Sequence, residues 1–192
     1  MKATLEQALP RRRVAVELAA ATAFAGLTAI AARVQVPLPF TPVPVTGQVF
    51  VVLLAGGVLG ARLGFISQVQ YLAAGAMGLP VFAYGGGPAA LTGPTGGYLL
   101  GFPVAALVVG AISHRLRERG TGGSFAACLS GVVVIHLFGA AWYAAWGAAI
   151  GTASGVIVVL AQSVVPFMAI DAAKAGLAAG LSPALRRRLP FA

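Results

Sequence analysis

Six apolar stretches follow one another along this chain and limit the folds that it can adopt. They lie near residues 14–34, 47–61, 63–79, 97–114, 124–149 and 166–182. A membrane-spanning helix needs about 20 mainly apolar residues, or about 17 at the short end. Because 59% of the 192 residues are hydrophobic and only 9% are charged, a soluble fold is excluded. The sequence therefore predicts an all-α integral membrane protein with six transmembrane helices, forming one transmembrane domain over residues 1–192.

The positions of the basic residues predict how these helices are oriented. Arginines cluster at 11–13, at 62, at 115–119 and at 186–188. Six spans with both termini in the cytoplasm place every cluster inside, as the positive-inside rule requires of a multi-pass protein in the cell inner (plasma) membrane. The net charge of +9 then faces anionic membrane lipid, and nucleic acid is not an expected partner. A cleaved signal peptide at the N-terminus is an alternative that would leave five spans.

Two loops on the side opposite the arginines have an unusual composition. Residues 35–48 contain four prolines, which favour extended backbone. Residues 79–98 are rich in Gly and Pro and contain no Asp, Glu, Lys or Arg. Irregular backbone at membrane depth is tolerated only where protein buries it or where it lines a cavity. We interpret the two loops as lids over a pocket, and plain connectors are the alternative, although those are usually shorter and more polar.

A charged pair lies inside the last apolar stretch. Asp171 is one of four acidic residues in the chain, and Lys174 follows it at the i+3 position, on the same helix face. A charge within the membrane costs at least about 2.5 kcal/mol on insertion scales. Two interpretations remain open: a structural ion pair that joins helices, or a polar site for a ligand with both hydrogen-bond donors and acceptors.

Other polar residues near the same side of the membrane are candidates for this site. They are Thr46, Gln48, Gln70, Tyr84 and Tyr98. Each is weak support alone, because tyrosines are common at membrane interfaces and glutamines can hydrogen-bond between helices.

The sequence offers little support for an enzyme. His136 and Ser130 share the fifth stretch, but their six-residue spacing does not favour contact, and no partner acid for His136 is evident. The sequence contains no metal-ligand spacing and no nucleotide-binding motif. We therefore expect no catalytic residues, no metal and no cofactor, and the chain cannot hydrolyse ATP by itself.

Three blocks of the sequence resemble a known family. They are PFTPVPVTGQ (39–48), GGGPAALTGPTGGYLLGF (85–102) and PFMAIDAAK (166–174). Together they are similar to the BioY family, the biotin-binding S components of energy-coupling factor (ECF) vitamin transporters. The similarity covers nearly the whole chain in the right order, and the second and third blocks are specific.

The resemblance implies a six-helix S-component bundle that captures biotin from outside and delivers it to the cytoplasm. It implies a transmembrane T component and a pair of cytoplasmic ATPases as partners, and it leaves open a homo-oligomer and operation without the ATPases. Biotin suits the candidate residues: Asp171 can accept from a ureido N–H, and Lys174 can donate to the ureido carbonyl or to the valerate carboxylate. Phe40 and Tyr84 can supply aromatic contacts to its apolar parts.

The first apolar stretch carries alanines at four-residue spacings, namely Ala19, Ala21, Ala23, Ala25 and Ala29. Small residues at this spacing allow close helix packing in lipid. Internal packing is one interpretation, and the resemblance favours the other, docking of the T component. Two further functions stay open: an S component for another vitamin, such as thiamine or riboflavin, and a membrane scaffold that binds no ligand.

Overall fold

The computed structural model describes residues 2–189, with side chains from residue 12 onward. The elements in order are α1 (Lys2–Ala31), β1 (Gln35–Leu38), β2 (Thr41–Thr46), α2 (Gln48–Ala76), α3 (Pro88–Thr92), α4 (Gly96–Arg115), a 3-10 turn (Arg117–Arg119), α5 (Gly120–Ala149), α6 (Val156–Ser163) and α7 (Val165–Arg186). The predicted all-α class is confirmed, with one short β-hairpin added.

The predicted count of six spans is not exactly confirmed. Within residues 2–189, four helices are long and apolar enough to cross a membrane, or five if the bent pair α6–α7 is one span. The predicted stretches 47–61 and 63–79 fall largely within α2, whose 29 residues count as one span. The non-helical residue Gly60 nevertheless lies at the boundary between the two stretches.

Gly60 interrupts α2 and folds it back on itself. Its φ of 80° and ψ of 179° belong to a region that is open essentially only to glycine. Beyond it the chain reverses, so that Gly64 packs against the backbone of Gly56. At the other end of this hairpin, Gln48 Nε2 lies 2.6 Å from the hydroxyl of Tyr71. The two halves of α2 therefore run antiparallel, each covering one of the predicted stretches.

The bundle has two distinct ends. At the first, which we call the basic end, Arg186 donates hydrogen bonds to the carbonyl of Gly57, and Gly110 packs against Ala61. At the second, which we call the cavity end, lie the β-hairpin of residues 35–46 and the loop of residues 77–95. Between the two ends α2, α4 and α5 form an apolar core, whose fully buried side chains include Val52, Leu53, Val109 and Ile135.

The proline-rich loop is extended, as predicted, and its backbone forms an antiparallel hairpin. Val36 pairs with Val45, and Leu38 pairs with Thr41 across a register irregularity. Pro42 and Pro44 lie in β2, where a two-stranded sheet tolerates them because each strand has a free edge.

The last helix begins as predicted and ends later. Pro166 occupies the first turn of α7, where its missing N–H leaves no hydrogen bond unmade. We predicted an end at Ser182 and Pro183, but the helix continues through Pro183 to Arg186. The preceding helix α6 meets α7 at an angle of 42°, a bend that the sequence analysis did not anticipate.

Candidate functional site

A cavity of about 280 Å³ opens at the cavity end of the bundle. Its size is close to the lower limit of small-molecule pockets, about 300 Å³. Both unusual loops contribute to its wall, β2 through Val43 to Thr46 and the second loop through residues between Phe82 and Thr95. The structure thus brings the two predicted lids together on one cavity, with α4, α5 and α7 forming its inner surface.

The charged pair of α7 lies in the wall of this cavity. Lys174 Nζ is 2.7 Å from Oδ1 of Asp171 and also 2.7 Å from the backbone carbonyl of Thr46. Asp171 is only 3% exposed, and both residues line the cavity. Lys174 therefore links α7 to the β-hairpin, and the pair presents one anionic and one cationic group to any occupant.

A third ionisable residue, not predicted from the sequence, lies at this point. We found no partner acid for His136, but its Nε2 lies 3.1 Å from Oδ2 of Asp171, and its ring also lines the cavity. The partner sits on α7, so spacing along α5 could not reveal it. A histidine within an apolar membrane helix is itself the signal that could have marked this position.

Four other predicted residues also line the cavity: Thr46, Gln48, Tyr84 and Tyr98. Gln48 is 3% exposed and donates to the hydroxyl of Tyr71, which in turn donates to the carbonyl of Val81 over 3.2 Å. This relay connects the start of α2 to the second loop.

Tyr98 is also held in place by a hydrogen bond from its hydroxyl group. Its hydroxyl donates to the carbonyl of Ser163 at the end of α6, and its ring packs edge-on against His136 at a centroid distance of 6.3 Å. Trp142 Nε1 donates to the carbonyl of Gly93 over 2.8 Å, which fastens the second loop to α5. The wall of the cavity is therefore fixed by hydrogen bonds from several helices.

Two predicted site residues lie elsewhere. Gln70 faces α1, where its Oε1 is 3.4 Å from the hydroxyl of Thr22. Phe40 forms part of the turn between β1 and β2 and is 55% exposed. Neither belongs to the cavity wall, because Gln70 points away from the side of α2 that carries Tyr71, and the hairpin turn extends beyond the cavity.

The predicted docking face on α1 is divided between two sides of the helix. Ala21 and Ala25 are 0% and 9% exposed, and Ala29 packs against the core, so these three serve internal packing against the bundle. Ala19 and Ala23 are exposed. Positions four residues apart share one face of a helix, so Ala21, Ala25 and Ala29 lie together on the inner face of α1, and docking of a T component on this helix stays a prediction.

Fold and cavity together define a class: a multi-pass membrane protein with a small-molecule cavity enclosed by loops at one end of a helical bundle. Many large apolar side chains outside the core are exposed, including Val133, Leu137 and Leu177, as lipid contact requires.

Comparison with known proteins identifies the family. The profile of the BioY family matches residues 2–191, and the chain belongs to that family, whose members are S components of transporters and not enzymes. The predicted resemblance is confirmed.

Individual relatives agree with this assignment. A probable biotin transporter BioY from Pyrococcus horikoshii is 42% identical over 67% of this chain and 74% of its own length. A biotin transporter BioY from Thermotoga maritima is 40% identical over 64% and 71%. A crystal structure of the S-component for biotin from an ECF-type ABC transporter superposes with a TM-score of 0.82 at 26% identity, covering 94% of this chain and 95% of the other.

Proposed function

We propose that this chain binds biotin in the cavity between the two loops, as the S component of a biotin uptake transporter. The observation that carries the proposal is the Asp171–Lys174 pair in the cavity wall. A ureido ring has two N–H donors and one carbonyl acceptor, and the pair offers an acceptor and a donor side by side. The apolar remainder of the wall, including Phe82, Phe102 and Phe167, suits the fused ring and the aliphatic tail.

The chemistry of the cavity also separates biotin from the two other vitamins that we considered. The described residues of the wall include one carboxylate and one ammonium, which hydrogen-bond each other. The neutral ureido group can bind across such a pair without leaving either charge unmatched. Thiamine carries a fixed positive charge, and riboflavin carries a ribityl chain whose several hydroxyl groups would find few polar partners in the mainly apolar wall.

Purification followed by ligand titration tests this assignment. We expect the protein to retain biotin on purification from cells grown with the vitamin, and the emptied protein to bind added biotin saturably. Thiamine and riboflavin should not compete. A protein that binds neither biotin nor its analogues would support the membrane scaffold instead, and competition by thiamine or riboflavin would assign a different vitamin.

We further propose that the cavity end faces outward and that both termini are cytoplasmic. This orientation places Arg62, Arg115 and Arg186, all near the basic end, on the inner side. A reporter that is active only in the cytoplasm should be active when fused after residue 192. Activity of a reporter that works only outside the cytoplasm, fused at the same position, would refute the orientation.

Transport itself we assign to a complex with a transmembrane T component and two ATPases. Of the predicted alanines, Ala19 and Ala23 remain available for this contact because they are exposed. Ala19→Leu should weaken co-purification of the T component and leave biotin affinity unchanged. The matched change Ala21→Leu introduces the same side chain on the buried face and should destabilise the fold instead. If Ala19→Leu leaves the complex intact, the partner docks elsewhere.

A further inference from the structure

His136 is the one histidine of the cavity wall and has an unusual environment. Its side chain is only 9% exposed, yet among residues 12–189 neither ring nitrogen has a hydrogen-bond partner. The Nε2 atom is 3.1 Å from Oδ2 of Asp171, a distance over which an Nε2–H would donate to the carboxylate. Buried polar groups are nearly always partnered, so this one calls for a functional explanation.

The groups around the ring are few and well defined. From α7 it faces Asp171 and Lys174, and from α4 it faces the ring of Tyr98. From α2, Gln48 is the polar residue that reaches the cavity wall, and α6 contains no ionisable residue in its sequence. The carboxylate of Asp171 therefore lies between the amino group of Lys174 on one side and the imidazole ring of His136 on the other.

The two oxygens of Asp171 are not equivalent. Oδ1 accepts from Lys174 over 2.7 Å, whereas Oδ2 faces His136 without a formed bond. The tautomer that carries its proton on Nε2 would donate to Oδ2 over this distance. A carboxylate oxygen has two acceptor sites, so Oδ2 would keep one of them for a ligand N–H.

We propose that His136 is a positioning residue of the ligand site. It fixes the Asp171 carboxylate opposite Lys174, so that a lone pair of Oδ2 points into the cavity when the ligand binds. This inference rests on the proposed biotin function for its binding test, and it has a second test that needs no ligand. His136 acts through Asp171 and stabilises the orientation in which that carboxylate accepts from the ureido group.

The binding test compares three variants of the full-length protein with the wild type. His136→Phe has an aromatic ring without either nitrogen, and it should bind biotin about tenfold more weakly. His136→Gln keeps an N–H donor in its side-chain amide, and it should recover most of the affinity that His136→Phe loses. His114→Gln, at the exposed end of α4, should match the wild type.

The ligand-free test observes the imidazole by nitrogen NMR in protein with labelled histidine, using His136→Gln to assign the signal. The wild type should show the Nε2–H tautomer at neutral pH. In Asp171→Asn the amide NH₂ faces the ring, and the tautomer should change to Nδ1–H. Thermal unfolding of each variant separates a loss of positioning from a loss of folding.

Several results would overturn the assignment. They are wild-type affinity in folded His136→Phe, the same loss of affinity in His136→Gln as in His136→Phe, and one tautomer in both wild type and Asp171→Asn. If the protein binds no biotin, the proposed function fails, and the NMR result still decides whether His136 positions Asp171.

Discussion

Asp171→Asn removes one charge from the cavity and almost no volume. In the wild type Oδ1 of Asp171 accepts from Lys174 over 2.7 Å, and Lys174 also donates to the carbonyl of Thr46. The asparagine will keep its oxygen toward Lys174, since the ammonium can only donate. Its NH₂ group then takes the place of Oδ2 and faces a ligand N–H, so that a donor meets a donor.

The size of the effect follows from the bond that is lost. A hydrogen bond to a charged group contributes about 1.5–3 kcal/mol, so we expect biotin affinity to fall by about tenfold to more than a hundredfold. Isothermal titration with purified protein measures it. The matched control is Glu17→Gln, the same chemical change in an ion pair with Arg13 on α1, whose oxygen and nitrogen are 3.0 Å apart. Wild-type affinity in Asp171→Asn would refute the argument, because the carboxylate would then make no contact with the ligand.

Two further predictions concern the loops and the fold. Tyr84 lines the cavity and is 59% exposed, whereas the single native cysteine, Cys128, is 1% exposed. A thiol reagent should therefore label Tyr84→Cys, and saturating biotin should protect this cysteine from the reagent. Met77→Cys, outside the cavity, should be labelled equally with and without biotin. Protection of both positions, or of neither, would contradict a ligand between the loops. Gly60→Ala should lower the free energy of unfolding by about 1–3 kcal/mol because φ is 80° there. Gly26→Ala, with no atom within 4 Å of the added carbon, should not lower it. Equal free energies of unfolding in the two variants would show that alanine at position 60 introduces no such strain.

Much of the fold could be predicted because hydrophobic length decides where a chain crosses a membrane. The windows 97–114 and 124–149 lie within α4 and α5. The reversal at Gly60 was present in the sequence only as a boundary between two windows. The bend between α6 and α7 falls at Val164, which has a φ of −127° and a ψ of −59°. Pro166 marks the start of α7 but does not reveal that another helix precedes it.

Part of the site could be predicted because two of its residues are close together in the sequence. Asp171 and Lys174 are neighbours on one helix, so their spacing alone placed them together. Gln70 and His136 depend on how whole helices are rotated, and α2 and α5 are apolar on all sides, which leaves no periodicity to fix that rotation. The alanines of α1 could not be assigned to a face for the same reason, because alanine occurs on both the inner and the outer face of this helix.

The most direct test of the whole account is the double variant Asp171→Leu with Lys174→Met, measured for membrane insertion, thermal unfolding and biotin binding. Removing both charges together leaves no unpaired ion in the bundle, so the protein should insert and unfold much as the wild type does. It should no longer bind biotin, because both the acceptor and the donor for the ureido group are gone. A double variant that binds biotin with wild-type affinity would contradict the ligand site and leave the pair as a purely structural contact between α7 and the β-hairpin.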